Sequence, residues 1–235
     1  MKNVNLLPDL SGKSAIIFER TWLAEELPYL DGSDKYYVLS IDRNIYLKND
    51  WIFTSMQGAS MVASLSERLY RSGVKKIIRI GTTGSLHDNH KLFDIVIPTA
   101  VYKDEGTSEH YVYKEFPCIC DTSLCATIKS ILKDSDSICH EGVSWTTDGR
   151  WTESLEKMTE LKKWGVLSVD METSAFYTVC FKNKIPCVSL NFITDFPIKS
   201  EENGLRGIPE SYDNYKKELL INVNVVIDLI TKNLT

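Results

Sequence analysis

The chain has no CxxC pair, no long apolar run and no excess of basic residues. Each absence excludes a class of function. Its six cysteines (Cys118, Cys120, Cys125, Cys139, Cys180 and Cys187) are scattered, several of them in apolar stretches where a thiol serves as a small hydrophobe, so structural thiols are expected rather than disulfides or a metal site. Cys139 beside His140 is the one adjacent pair of soft ligands, and nothing at zinc spacing completes it. With 32 acidic against 27 basic residues and a net charge of -5, the chain is ill suited to coating nucleic acid. No stretch approaches the ~20 apolar residues that span a bilayer, and the N-terminus MKNVNLLPDL lacks the pattern of a signal peptide. The expectation is a cytoplasmic protein without membrane attachment. Repeats, low-complexity segments and linkers are also missing, so residues 1–235 are expected to form one domain, whose size needs no metal or disulfide support.

What is present alternates. SAIIF, YYVLSI, DWIFTSM, VKKIIRIG, DIVIPTAVY, GVLSVDM and PCVSLNFIT are apolar and β-branched, several without a polar face, as in strands covered on both sides. Between them SMVASLSERLYRSG, TSLCATIKSILKDS and METSAFYTVCFKNK have helical spacing, and residues 212 to 234 read as a final helix with Leu219, Val223, Val226 and Ile230 along one side. Such alternation predicts an α/β protein of three layers, helices on either side of a sheet. SEENGLRGIPES, rich in glycine, proline and charge, is expected to be a mobile loop.

Three segments carry chemistry. In IIRIGTTGSL a strand delivers Arg79 and is expected to open at Gly81, Thr82, Thr83 and Gly84, where backbone amides and hydroxyls suit an anion; a plain turn is the competing reading. Arginine adds a planar fork of donors that fits phosphate. In SVDMETSAF, Asp170 and Glu172 flank Met171, either as a grip on a vicinal diol or as acids at a helix start. In NFITDFP a buried strand ends in Thr194 and Asp195, where ligands bind in open α/β sheets; burial there would raise the acid toward general-acid duty, and a strand-ending turn is the alternative.

RIGTTGSL, DIVIPTAVYKDEGTSEHYVYKEFP and SVDMETSAF, in this order, resemble the nucleoside phosphorylase superfamily, which includes uridine phosphorylases, hexameric purine nucleoside phosphorylases and methylthioadenosine nucleosidases. The resemblance spans roughly residues 14 to 232. It implies a central mixed, partly barrel-like sheet and a homo-oligomer, a dimer or a trimer of dimers. It also implies phosphate-dependent cleavage of a nucleoside, of purine type, to free base and ribose 1-phosphate. Phosphate is then a co-substrate, and no metal or organic cofactor takes part. Arg79 and Thr82 match the family's phosphate ligands, and Arg43 matches a phosphate arginine supplied by a neighbouring subunit. Met171 and Glu172 match the ribose motif, with Asp170 one methylene shorter than the usual glutamate. Asp195 after Thr194 matches the acid that protonates a purine, with Arg206 as its helper. Thr83, Gly84, Val169 and Thr194, with Trp145, Arg150 and Trp151, are expected around the base.

Two departures keep alternatives open. The first strand runs into Glu19, Arg20, Thr21 and Trp22 instead of a glycine turn with a phosphate arginine, so that either Arg20 substitutes or the phosphate site is incomplete. No histidine precedes His87 to meet a ribose 5′-hydroxyl. A uridine phosphorylase, a nucleosidase using water with Glu19 as base, and a non-catalytic nucleoside-binding relative are the alternatives.

Overall fold

Seven helices and ten strands alternate along the chain in a computed structural model that describes residues 2–4, 7, 9–133, 135, 137–202 and 212–234. The order is β1 (Lys2–Val4), β2 (Ser14–Phe18), α1 (Thr21–Glu26), β3 (Asp34–Val38), β4 (Arg43–Lys48), β5 (Trp51–Ser55), α2 (Ala59–Arg71), β6 (Lys76–Ser85), β7 (Ile95–Asp104), α3 (Thr122–Leu132), β8 (Cys139–Thr147), α4 (Leu155–Lys163), β9 (Ser168–Asp170), α5 (Thr173–Lys182), β10 (Cys187–Asp195), α6 (Pro197–Glu202) and α7 (Tyr212–Asn233). Most of the loop expected before the last helix, Arg206 included, lies outside the described residues.

The strands form one sheet in the order β1-β3-β4-β5-β2-β6-β10-β7-β8-β9, and β9 pairs again with β6. That second pairing closes β6, β10, β7, β8 and β9 into a five-stranded barrel, so the layered α/β fold with a mixed, partly barrel-like sheet expected from the sequence is present. Parallel neighbours hold β2, β5, β6 and β10 together, while β7 runs antiparallel to β10. β2 and β5 are buried at every residue and β6 at all but its first, which is why they lack a polar face.

The main core gathers Ile16, Phe18, Phe53, Ile78, Leu190 and Phe192 from the sheet with Val62, Leu69, Val223 and Ile227 from α2 and α7. Helix α5 is buried from Thr173 through Cys180, and its small residues Ser174 and Ala175 suit such an interior path. It packs on α2, and the Tyr177 hydroxyl donates to the Pro98 carbonyl and accepts from the Ser189 amide. A second cluster, with Leu86, Met158, Leu161, Val166, Val169 and Ile198, surrounds Trp145. All six cysteines are free thiols, five of them buried. His140 Nε2 lies 2.8 Å from the Asp94 carboxylate, and no metal-binding cluster of His, Cys, Asp or Glu occurs among the described residues. No helix among them is long and apolar enough to cross a membrane.

Candidate active site

Strand β6 does not turn at Gly81: it remains a strand through Ser85, pairing with β10 and then β9. The expected glycine turn is therefore corrected, and the glycines answer to their neighbours. A Cβ on Gly81 would stand 2.3 Å from Nη1 of Arg79, and one on Gly84 would stand 2.9 Å from the Pro197 ring and 3.4 Å from Oδ1 of Asp195. Gly81 makes room for the arginine two residues earlier on the same face, and Gly84 makes room for the acid of β10.

Arg79 is fully buried. Its Nη2 donates to Glu172 at 2.5 Å and lies 3.5 Å from the Glu19 carboxylate. Its Nη1 donates to Asn191 Oδ1 at 2.7 Å and Ser189 Oγ at 3.1 Å, with Asp170 at 3.5 Å. A buried charge needs such compensation, and here three carboxylates surround one guanidinium. Glu19, at the end of β2, is held by the parallel register that sets Phe18 against Ile80. Its carboxylate accepts from the Thr82 amide at 2.6 Å and from the Thr82 hydroxyl at 2.8 Å, and Arg20 Nε lies 3.0 Å away. The donors that the sequence assigned to phosphate, on Arg79 and Thr82, are thus engaged by carboxylates of the protein itself. Arg20 serves Glu19 too. Arg43 stands on β4, beyond β5 from β2, and donates to the Asp42 carbonyl at 2.7 Å.

Glu172 is the N-cap residue of α5 and accepts from the Gly58 amide at the start of α2, at 2.8 Å. Burial and the nearby Glu19 carboxylate push its carboxyl up to about 7, against the pull of Arg79. Asp170 lies on the Nη1 side of the same guanidinium. Its carboxylate accepts from Thr146 at 2.6 Å, from Asn191 at 3.0 Å and from the Thr173 hydroxyl, which ties β8, β9, β10 and α5 together. The Asp170 carboxylate, expected at the ribose, is thus engaged by partners inside the barrel. Met171 is half-buried between the two acids.

Thr194 and Asp195 end β10 at a bulge: Ile193 pairs with Thr83 and Asp195 with Gly84, leaving Thr194 as the extra residue. Bulges re-aim side chains beside functional sites. Here the Asp195 carboxyl lies against Gly84, with the Thr194 hydroxyl 3.4 Å from Oδ1. Thr83 donates to the Val169 carbonyl at 2.8 Å, closing the barrel seam. Trp145 is 1 % exposed, with its indole N–H on Asp104 and Lys157 over its ring, so it is a core residue and not an open stacking face. Trp151 is 72 % exposed on a short turn beneath Arg150. The structure therefore brings together Glu19, Arg79, Thr82 and Glu172, sets Thr194 and Asp195 beside Gly84 two residues further along β6, and leaves Arg43, Trp145 and Trp151 outside the cluster. Sequence reasoning missed Asn191 and Gly58; a lone asparagine in the apolar run SLNFIT was the available signal for the first.

A family model described as the phosphorylase superfamily matches residues 23–221. The chain is 30% identical over 173 residues to a DeoD-type purine nucleoside phosphorylase of Buchnera aphidicola subsp. Schizaphis graminum, covering 72% of this chain and 73% of that protein. It is 25% identical over 176 residues to a guanosine phosphorylase of Halorubrum lacusprofundi, covering 73% of each. Among solved structures it resembles uridine phosphorylase from Vibrio fischeri ES114, with a TM-score of 0.81 and 19% identity over 99% of this chain and 97% of that one. AMP nucleosidase from Bacteroides thetaiotaomicron follows, with a TM-score of 0.74 and 23% identity over 95% of this chain and 91% of that one. The chain belongs to the phosphorylase superfamily.

Proposed function

We propose that this protein is a nucleosidase, cleaving the N-glycosidic bond of a purine nucleoside with water in place of phosphate. One observation carries the reading: the Glu19 carboxylate takes both donors of Thr82 and lies against Arg79. A phosphate dianion entering there would meet carboxylates on three sides, whereas a water beside Glu19 meets a base. In this mechanism Glu172 accepts from the ribose hydroxyls, and the carboxylates stabilise the positive charge that develops on the sugar as the bond to the base stretches. The water oxygen bonds to C1′ as that bond breaks, Glu19 takes the water's proton, and Asp195 delivers its proton to the departing purine nitrogen. No metal or organic cofactor enters the scheme. We also propose a cytoplasmic location and a homo-oligomer in which Arg43 reaches a neighbour's site.

The second reading is phosphorolysis, favoured by the names of the curated relatives and by the presence of Arg79. It requires phosphate to displace Glu19 from Thr82. The two readings separate in one assay of base release from a panel of nucleosides, with and without phosphate. Hydrolysis predicts turnover that is indifferent to phosphate, free ribose as product, and a loss of about 10²- to 10⁴-fold on Glu19→Gln and on Asp195→Asn. Turnover that vanishes without phosphate and yields ribose 1-phosphate overturns it.

A further inference from the structure

Resting on Glu172 as the ribose ligand, whichever nucleophile attacks, we propose that Asn191 of β10 is a positioning residue: it stands where two buried carboxylates compete for one guanidinium and commits Arg79 to Glu172. Neither the sequence motifs nor the comparisons assign this asparagine a role.

Strand register places it there. Residues 189 and 191 share one face of β10, and the parallel ladder sets Ser189 against Arg79 and Asn191 against Gly81. Because Gly81 carries no side chain, the Arg79 guanidinium lies over it and so comes to face Asn191. Asn191 is fully buried in an apolar run, where an amide is costly unless its hydrogen bonds are made. All four are made. Oδ1 accepts from Arg79 Nη1 at 2.7 Å and from Ser189 Oγ at 2.8 Å, while Nδ2 donates to Asp170 at 3.0 Å and to Thr173 Oγ1 at 3.1 Å. The neighbours dictate which way the amide faces, since an arginine only donates and a carboxylate only accepts. A side chain set between that cation and that anion must accept at one end and donate at the other. Asparagine does so without adding a fourth carboxylate to the cluster.

The competing acids are Asp170 and Glu172. Nη1 of Arg79 lies 3.5 Å from Asp170, and Nη2 donates to Glu172 at 2.5 Å. Asp170 takes neutral donors instead, from Thr146 at 2.6 Å, from the hydroxyl and amide of Thr173 and from Asn191, and so leaves the guanidinium to Glu172. Without the Asn191 amide, Arg79 loses its shortest bond at Nη1 and Asp170 loses a donor, and the two opposite charges draw together. Ser189 Oγ and Thr173 Oγ1, at 3.1 and 3.4 Å from Nη1, are neutral and do not oppose that movement. The bond from Nη2 to Glu172 then loosens. Facing Glu172 are Arg79 from β6, Glu19 from β2, Asp170 from β9 and the Gly58 amide at the start of α2. Burial and the two carboxylates hold its proton on, whereas Arg79 and the amide pull it off. A loosened Arg79 leaves Glu172 protonated to higher pH, and a protonated Glu172 is the poorer partner for the positive charge that develops on the sugar.

The test follows kcat/KM against pH, from about 5 to 9, with phosphate present throughout, on the best-cleaved purine nucleoside among adenosine, guanosine and inosine. Asn191→Leu, close to asparagine in size, is expected to lower the plateau about tenfold and to move the acid limb up by about one pH unit. Asn191→Ser, whose small side chain leaves room for a water, is expected to move the limb the same way and stands in for a leucine variant that fails to fold. In an Asp170→Asn background, where that carboxylate no longer competes, the same replacements are expected to move the limb much less than in wild type. A role in packing alone predicts a lower plateau with the limb in place. That outcome, or an equal shift in both backgrounds, overturns the role of Asn191 alone when Glu172→Gln is impaired. A Glu172→Gln protein that cleaves the nucleoside at the wild-type rate, or a wild type that cleaves none of the three, overturns the underlying reading and this role with it.

Discussion

At Glu172 the opposing effects on one carboxyl are resolved by position. Arg79 pulls its proton off, but burial and Glu19 hold the proton on, and the latter win, leaving the group near 7. The folded protein therefore binds this proton more tightly than the unfolded chain, whose glutamate has an ordinary value of 4.5. Stability from this source is complete below the ordinary value and is lost as pH rises through the folded one. His90 works in the opposite sense: burial, with His140 and His87 beside it, lowers its imidazole from 6.5 to about 4, so its contribution grows as pH rises to its ordinary value and is then constant. The window above that value isolates Glu172. We expect the melting temperature of the unliganded protein to fall between pH 6.5 and 8, and Glu172→Gln to flatten the fall; a wild-type curve that rises over this window contradicts the placement of the proton.

Strand β6 is the element on which the site depends, because it presents Arg79, Thr82 and Gly84 along one uninterrupted ladder. Gly81→Ala would put a methyl carbon 2.3 Å from Nη1 of Arg79 and 2.6 Å from Cζ, and a guanidinium pinned by Glu172, Asn191 and Ser189 has nowhere to go. Overpacking of this kind costs about 1–3 kcal/mol, or roughly 5 °C for a chain of this size, and calorimetry on the variant measures it. An unchanged melting temperature would mean that Arg79 is held less firmly than these bonds imply. The same strand shows where sequence was legible. Its apolar run predicted a strand, but two glycines three residues apart also write a turn, and only the bulk of Arg79 and the approach of Asp195 distinguish the cases. β2, β7, β10, α2, α3, α5 and α7 were legible because one apolar pattern ran through each. β4, β8 and α4 were not: Arg43–Lys48 is edged with charge, Cys139–Thr147 buries only its second half fully, and Leu155–Lys163 buries Met158 and Leu161 alone. The pairing of Glu19 with Thr82 was illegible for another reason, since it arises from a register between strands 63 residues apart.

Across the whole molecule, the candidate site lies where independent parts of the chain meet: the end of β2, the middle of β6, the start of α5 and the bulge of β10. A nucleoside bound there would join Glu172 at the sugar end to Asp195 at the base end, across the ends of the barrel strands β9 and β10. Ligand that binds only the folded state stabilises it by about 2.7 kcal/mol at a hundredfold excess over Kd, which for a chain of this length is a shift of about 5–10 °C. A purine C-nucleoside, whose glycosidic bond does not hydrolyse, is expected to produce that shift. Its 2′,3′-dideoxy counterpart is expected to produce little, because the buried Glu172 would face a sugar with no hydroxyls to match it. Equal shifts from the two compounds in a differential scanning experiment would remove Glu172 from the ribose and leave it as the N-terminal residue of α5, bonded to Gly58 and Arg79 alone.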